Sequence, residues 1–170
     1  MIAPCIKYAF KPDKIHSIGA YFSYNNYLLH HYQDTGLQDT LNELDYIPGT
    51  ALYITRDTFT ELQGTDETYF MYWEDVDLCF RAHQAGIKLV RTYKSLVYHG
   101  VGKTCHKNPL YTSYYFNRNR IIFVKRFLHG DHLVKALDRI DKDLGKYLQI
   151  HTEKNDQKRI NYIQQIINEQ

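Results

Sequence analysis

A chain of 170 residues that is 44% hydrophobic and 24% charged has the size and balance of one globular domain with a buried core. Its 21 Lys and Arg against 19 Asp and Glu leave a formal charge of +2, too weak a field to imply nucleic acid as a partner. No run approaches the roughly 18 apolar residues of a membrane span, Met1-Ile2-Ala3-Pro4 opens without a signal-peptide pattern, and the 3 cysteines, widely spaced and without a CxxC, speak against a disulfide framework and for a reducing compartment.

Ile2 to Phe10 reads as a strand and Ser17 to Tyr24 as a second, with Gly19 permitting a bend. Residues 30–45 are polar, contain Gly36, and read as a loop. Pro48-Gly49 is turn chemistry at the mouth of a short buried strand, Ala51 to Thr55, and leaves backbone groups free to face a ligand. Asp57 is the expected N-cap of a short helix ending at Gly64. The aromatic run Tyr69-Phe70-Met71-Tyr72-Trp73 then enters a helix over Glu74 to Ala85. Its core stripe is Leu78, Cys79, Ala82 and Ala85, and it closes at Gly86. Lys88 to Thr92 and Leu96 to Tyr98 read as two strands or one broken strand. Residues 100–110 form a basic loop. Tyr111 to Leu128 is a helix mixing Tyr and Phe with Arg118, Arg120, Lys125 and Arg126. In the tail, Leu133, Leu137, Ile140, Leu144 and Leu148 mark one helical stripe, and Ile160, Ile163 and Ile167 another, either a packed appendix or a partner-binding hairpin.

The chemistry-bearing residues each carry two readings. Glu74 and Asp75 are neighbours on a helix, so their side chains diverge by ~100°. That divergence does not suit two groups flanking one glycosidic bond at the ~5–9 Å separations hydrolases use. One base serving one hydroxyl uses the site better, and a first-turn carboxylate is kept ionised by the helix dipole. The alternative is a pair of ordinary N-terminal helix charges. Cys79, His83, Cys105 and His106 lack zinc-ligand spacing and read as packing and surface residues. His99, at a strand end, is either a structural histidine or a metal ligand. The 16 tyrosines offer flat amphipathic faces that suit sugars and equally fill cores.

The segment Tyr69-Phe70-Met71-Tyr72-Trp73-Glu74-Asp75-Val76-Asp77-Leu78-Cys79, with His99 24 positions after Asp75, closely resembles the acceptor half of the inverting family 2 glycosyltransferases. The nearest branch is the rhamnosyltransferase-like enzymes of bacterial surface polysaccharides, and the resemblance runs from about Ile2 to Phe127. It implies an α/β chain: an incomplete GT-A-like nucleotide-diphospho-sugar transferase fold, with the acceptor half at 1–128 and a helical C-terminal extension at 129–170. Asp75 matches the catalytic base, taking a proton from the acceptor hydroxyl. Glu74 would position the acceptor beside the Pro48-Gly49-Thr50 turn, Trp73 would offer its indole to a sugar ring, and Asp77 would bond within the helix terminus. His99 matches a histidine that helps hold a divalent cation, Mn²⁺ or Mg²⁺, and the diphosphate. Lys103 and Arg118, with Lys107 and Arg120, are the candidates for meeting phosphate. Asp75 and His99 are expected to share a cleft with Trp73 and the turn.

Asp75-Val76-Asp77 has the outline of an Asp-x-Asp metal motif, but in the family that motif lies in the nucleotide-binding half, and none precedes Asp75 here. The chain is therefore expected to be a fragment, a truncated product or part of a split enzyme, inactive alone. Its donor would be a nucleotide-diphosphate sugar and its acceptor a glycan or lipid-linked saccharide. The missing N-terminal half or a second copy of the chain is the expected protein partner. The cytoplasm is the expected location, at the inner face of the cytoplasmic membrane, with peripheral contact through 111–128. The competing class is a non-catalytic remnant that binds glycan or protein.

Overall fold

The computed structural model describes residues 1–33, 44–102 and 109–169. Contacts divide the chain into two compact units, Met1–Phe70 with Glu74–Lys103, and Met71–Trp73 with Thr104–Gln170. The first holds β1 (Ile2–Tyr8), β2 (Lys11–Ser17), β3 (Ala20–Ser23), β4 (Leu28–His31), α1 (Arg56–Glu61), α2 (Glu74–Gln84) and β5 (Val90–His99). The second holds α3 (Pro109–Phe127), α4 (Gly130–Glu153) and α5 (Gln157–Asn168). The mixed α/β character agrees with the sequence reading. In the second unit α3 packs with α4 and α5, its apolar face completed by theirs.

In the first unit a three-stranded sheet runs β2-β1-β5, with β1 antiparallel to β2 and parallel to β5. β5 is one strand, not two. Its register against β1 jumps from Pro4↔Thr92 to Cys5↔Leu96, so Tyr93 to Ser95 bulge out opposite a residue with no N–H to offer the ladder. The expected strand from Ser17 to Tyr24 is divided at Gly19, where φ is +91° and a Cβ would stand 2.4 Å from Leu44 Cδ1. Beyond it β3 and β4 form an antiparallel hairpin. β4 falls partly in the expected 30–45 loop, since Leu28-Leu29-His30-His31 lacks the alternation that marks a strand. The expected strand at Ala51 to Thr55 reduces to one antiparallel bridge, Tyr53↔Ile2. Thr55, not Asp57, caps α1, accepting from the Thr58 N–H at 3.2 Å.

α2 ends as its sequence asks. Ile87 N–H donates to Ala82 O and Gly86 N–H to His83 O, both at 2.9 Å, with Gly86 at φ +74°. Val76, Leu78, Cys79 and Ala82 face the core.

In the second unit, Trp73 packs against Phe116 and Phe123, with ring centroids 5.6 and 5.0 Å apart. Tyr72 and Trp73 adopt φ of +65° and +73°, a conformation that costs bulky L-residues about 1–3 kcal/mol each. The fully buried amide of Asn119 holds this bend, donating to Met71 O at 2.7 Å and Tyr72 O at 2.9 Å. Replacing Asn119 with Ala is therefore expected to cost about 2–3 kcal/mol, since it removes the donors of two part-buried carbonyls. Urea unfolding measures this, and a loss under about 1 kcal/mol would show that the bend holds itself.

Candidate active site

The N-terminus of α2 carries Glu74, Asp75 and Asp77 in its first turn. Asp75 and the Pro48-Gly49-Thr50 turn meet as expected. Asp75 Oδ2 accepts from the Gly49 N–H at 2.7 Å, and Oδ1 from the Val76 N–H at 2.9 Å. A Cβ at 49 would stand 3.2 Å from Asp75 Cβ and 3.4 Å from Oδ2, a tight approach that favours glycine. Ala51 N–H closes the turn on Pro48 O at 3.2 Å. Gly49 and Thr50 are exposed while Pro48 is buried, so the turn is anchored on one side and open on the other.

Asp75 keeps a half-buried surface, yet crowding of its carboxyl pushes the pKa above the ordinary Asp value. The Gly49 and Val76 N–H groups and its own backbone N–H pull the other way. A carboxyl group made more basic by lost water, with amide N–H groups partly opposing the shift, suits proton abstraction. Glu74, beside it, is raised to about 7, by burial first and by the Asp75 charge second. Its Oε2 is enclosed and has no hydrogen-bond partner. Near neutrality Glu74 can thus donate or accept a hydrogen bond, and one oxygen awaits a partner.

Asp77 has the structural role foreseen for it. It is fully buried and pairs with Arg81 Nε at 3.0 Å. Cys79 Sγ accepts from the Ile47 N–H at 3.3 Å, and His83 Nε2 donates to Leu44 O at 2.8 Å, so both serve packing. Cys105 and His106 lie outside the described residues.

His99 lines a cleft of about 540 Å³ with Tyr8, Phe10, Lys11, Lys14, Ile15, Gln33 and Val101. A row of rings leads back from it: His99 to His16 at 5.6 Å, His16 to His31 at 5.3 Å, and His31 to Tyr46 at 6.1 Å. The Tyr46 phenol is buried and pushed far above its ordinary value, by burial and then by the charges of Asp75 and Cys79. Burial and the neighbouring histidines lower His16 and His31, although His31 keeps an exposed edge. Among the described residues no group of three His, Cys, Asp or Glu side chains converges to hold a metal ion.

Trp73 departs from expectation: it is 1% exposed and its ring packs within the second unit, so it presents no face to a sugar. Arg118 also turns to protein, donating to Asn119 Oδ1 at 2.9 Å and lying 4.0 Å from Glu169. Arg120 is buried and pairs with Asp143 at 2.9 Å. Lys103 and Lys107 lie outside the described residues.

No protein-family profile matches the chain. Segments of it are similar to three curated proteins. Over 46 residues it is 39% identical to rhamnosyltransferase WbbL of Escherichia coli, covering 27% of this chain and 17% of the relative. Over 78 residues it is 32% identical to the N-acetylglucosaminyl-diphospho-decaprenol L-rhamnosyltransferase of Mycobacterium tuberculosis, covering 46% and 25%. Over 108 residues it is 24% identical to a low-salt glycan biosynthesis hexosyltransferase of Haloferax volcanii, covering 62% and 33%. The chain thus spans from 17% to 33% of the length of these relatives. All three are named as rhamnosyl- or hexosyltransferases.

Proposed function

We propose that the chain supplies the acceptor side of an inverting, family 2-like glycosyltransferase of the GT-A type, with Asp75 as the base. The observation that carries this reading is the Asp75–Gly49 contact: a carboxyl group, short of water, locked to an exposed turn at a helix N-terminus. Asp75 takes the proton of an acceptor hydroxyl as that oxygen bonds to the anomeric carbon. The bond from that carbon to the nucleotide diphosphate breaks from the opposite face, which inverts the centre. Glu74 orients the acceptor through its unpartnered Oε2. The acceptor is a glycan or a lipid-linked saccharide; the diphospho-decaprenol in one relative's name favours the second. Binding of the nucleotide and a divalent cation belongs to residues beyond those described, so transfer requires a nucleotide-binding unit, and His99 would join the cation only in its company. No described helix is long and apolar enough to cross a membrane, so reaching a lipid-linked acceptor calls for surface contact.

The ionisation of Glu74 gives a test that needs no donor. Its folded-state pKa of about 7 stands above the reference 4.5, so the folded protein holds the extra proton between these values. Stability from this group is fully present below pH 4.5 and is lost as pH rises through about 7. Glu74→Gln should therefore melt higher than wild type at pH 8 and close to it at pH 4. Carboxyl ¹³C NMR should show Glu74 titrating near neutrality and shifting when a saccharide acceptor is added. Titration near the reference value with no response to saccharides would remove Glu74 from the acceptor site.

A further inference from the structure

The cleft beside His99 is built largely by the hairpin of β1 and β2. Their pairing jumps from Lys7↔Ile15 to Tyr8↔Lys11, so Pro12, Asp13 and Lys14 have no partner in the ladder. Strict alternation would put Lys14 on the opposite face from Lys11 and Ile15. The irregularity instead brings all three to the wall of one cleft of about 540 Å³. The Ala9 N–H donates to His99 O at 2.9 Å, which fastens the turn of the hairpin to the end of β5, and Phe10 and Val101 line the same opening.

The lining is of two kinds. Lys11 and Lys14 are exposed, and neither has an ion pair among the described residues. Asp13, between them in sequence, is not part of the lining, and no other described acid is. Phe10 is 71% exposed and Val101 42%, and with Ile15 and Tyr8 they give the cleft an apolar side. Scattered exposed apolar residues are ordinary, but here they share one concavity with two uncompensated ammonium groups. Lysine binds phosphate as a point charge with rotatable donors, and a hydrocarbon wall gains about 25 cal/mol per Å² when another apolar group covers it.

The geometry points to this cleft as a site for a phosphate carried on an apolar chain, with the phosphate on Lys11 and Lys14 and the chain along Phe10, Ile15 and Val101. Two cations side by side balance a phosphate dianion better than a single carboxylate. Ile15 and Val101 are branched aliphatic groups without a hydrogen-bonding edge, so the apolar side fits a flexible hydrocarbon better than a nucleobase. The assignment uses no residue of the Asp75 turn and stands apart from the identity of the base.

Farnesyl phosphate, kept below the concentration at which it aggregates, is the probe, with inorganic phosphate as its polar part. In ¹⁵N–¹H spectra of the full chain, the backbone signals of Phe10, Lys11, Lys14 and Val101 should move together, and the titration gives the affinity. Inorganic phosphate should bind on the order of tenfold more weakly, since it covers no apolar surface. Changing Lys11→Gln and Lys14→Gln together should weaken farnesyl phosphate on the order of tenfold. Phe10→Ser should weaken farnesyl phosphate and leave inorganic phosphate unchanged. These side chains are exposed, so the variants should melt with wild type. Equal affinity in wild type and the double lysine variant, equal affinity for farnesyl phosphate and inorganic phosphate, or tighter binding of uridine diphosphate than of farnesyl phosphate would overturn the assignment. So would phosphatidylglycerol vesicles moving these signals where farnesyl phosphate does not, because a bilayer surface and not a single chain would then be the partner.

Discussion

Arg81→Met is expected to cost the first unit about 3–5 kcal/mol, the scale of removing one partner of a buried ion pair. Asp77 is fully buried, and the guanidinium facing it at 3.0 Å is mostly enclosed. Arg81 also donates to Leu62 O and, at 2.8 Å, to Gly64 O, tying the chain that leaves α1 to the flank of α2. The variant loses the cation opposite a carboxylate and the donors of two carbonyls together. Adding Asp77→Asn should restore much of the loss, because the buried charge then goes with its partner. Urea unfolding of the two single variants and the double variant measures this. Singles near wild type would mean that the pair is relaxed by water.

The helical parts of this fold were legible because their signals are local. The α2 stripe of Leu78, Cys79 and Ala82 sits within 11 residues of helix with the stop at Gly86 just past its end, and the tail stripes needed only a 3.6-residue period. The hairpin of β3 and β4 was not. Its division at Gly19 depends on Leu44 pressing from 25 positions away, which no local window contains. The grouping of α3 with α4 and α5 was not legible for a similar reason, since it depends on what α4 and α5 bury against α3. Within the site, the meeting of Asp75 with the Pro48-Gly49-Thr50 turn was foreseen. Trp73 was misread because an aromatic before an acidic pair looks the same in sequence whether it faces sugar or Phe116 and Phe123. The cleft that His99 lines lies on the Lys11 and Lys14 side of β5. Asn119 carries no sequence signal: an Asn inside a helix reads as surface until its burial is known.

Asp75→Asn is expected to reduce glycosyl transfer by roughly 10² to 10⁴-fold, the contribution of a positioned general base. The amide keeps the size of the side chain and an oxygen for the Gly49 N–H, so the turn should stay in place and donor affinity should hold. The loss should fall on kcat, because the proton moves only as the acceptor attacks. The rate with wild-type Asp75 should fall as pH drops through a carboxyl pKa above the ordinary Asp value, in keeping with the burial of that group.

The most direct measurement is product formation from a panel of nucleotide-diphosphate sugars and saccharide acceptors, with a nucleotide-binding unit supplied ahead of Met1, for wild type and Asp75→Asn side by side. The account predicts transfer with inverted anomeric configuration in the wild-type assembly, none from these 170 residues alone, and near-complete loss in Asp75→Asn with donor binding intact. Unchanged turnover in the Asp75→Asn assembly, or a retained anomeric configuration in the product, would contradict it.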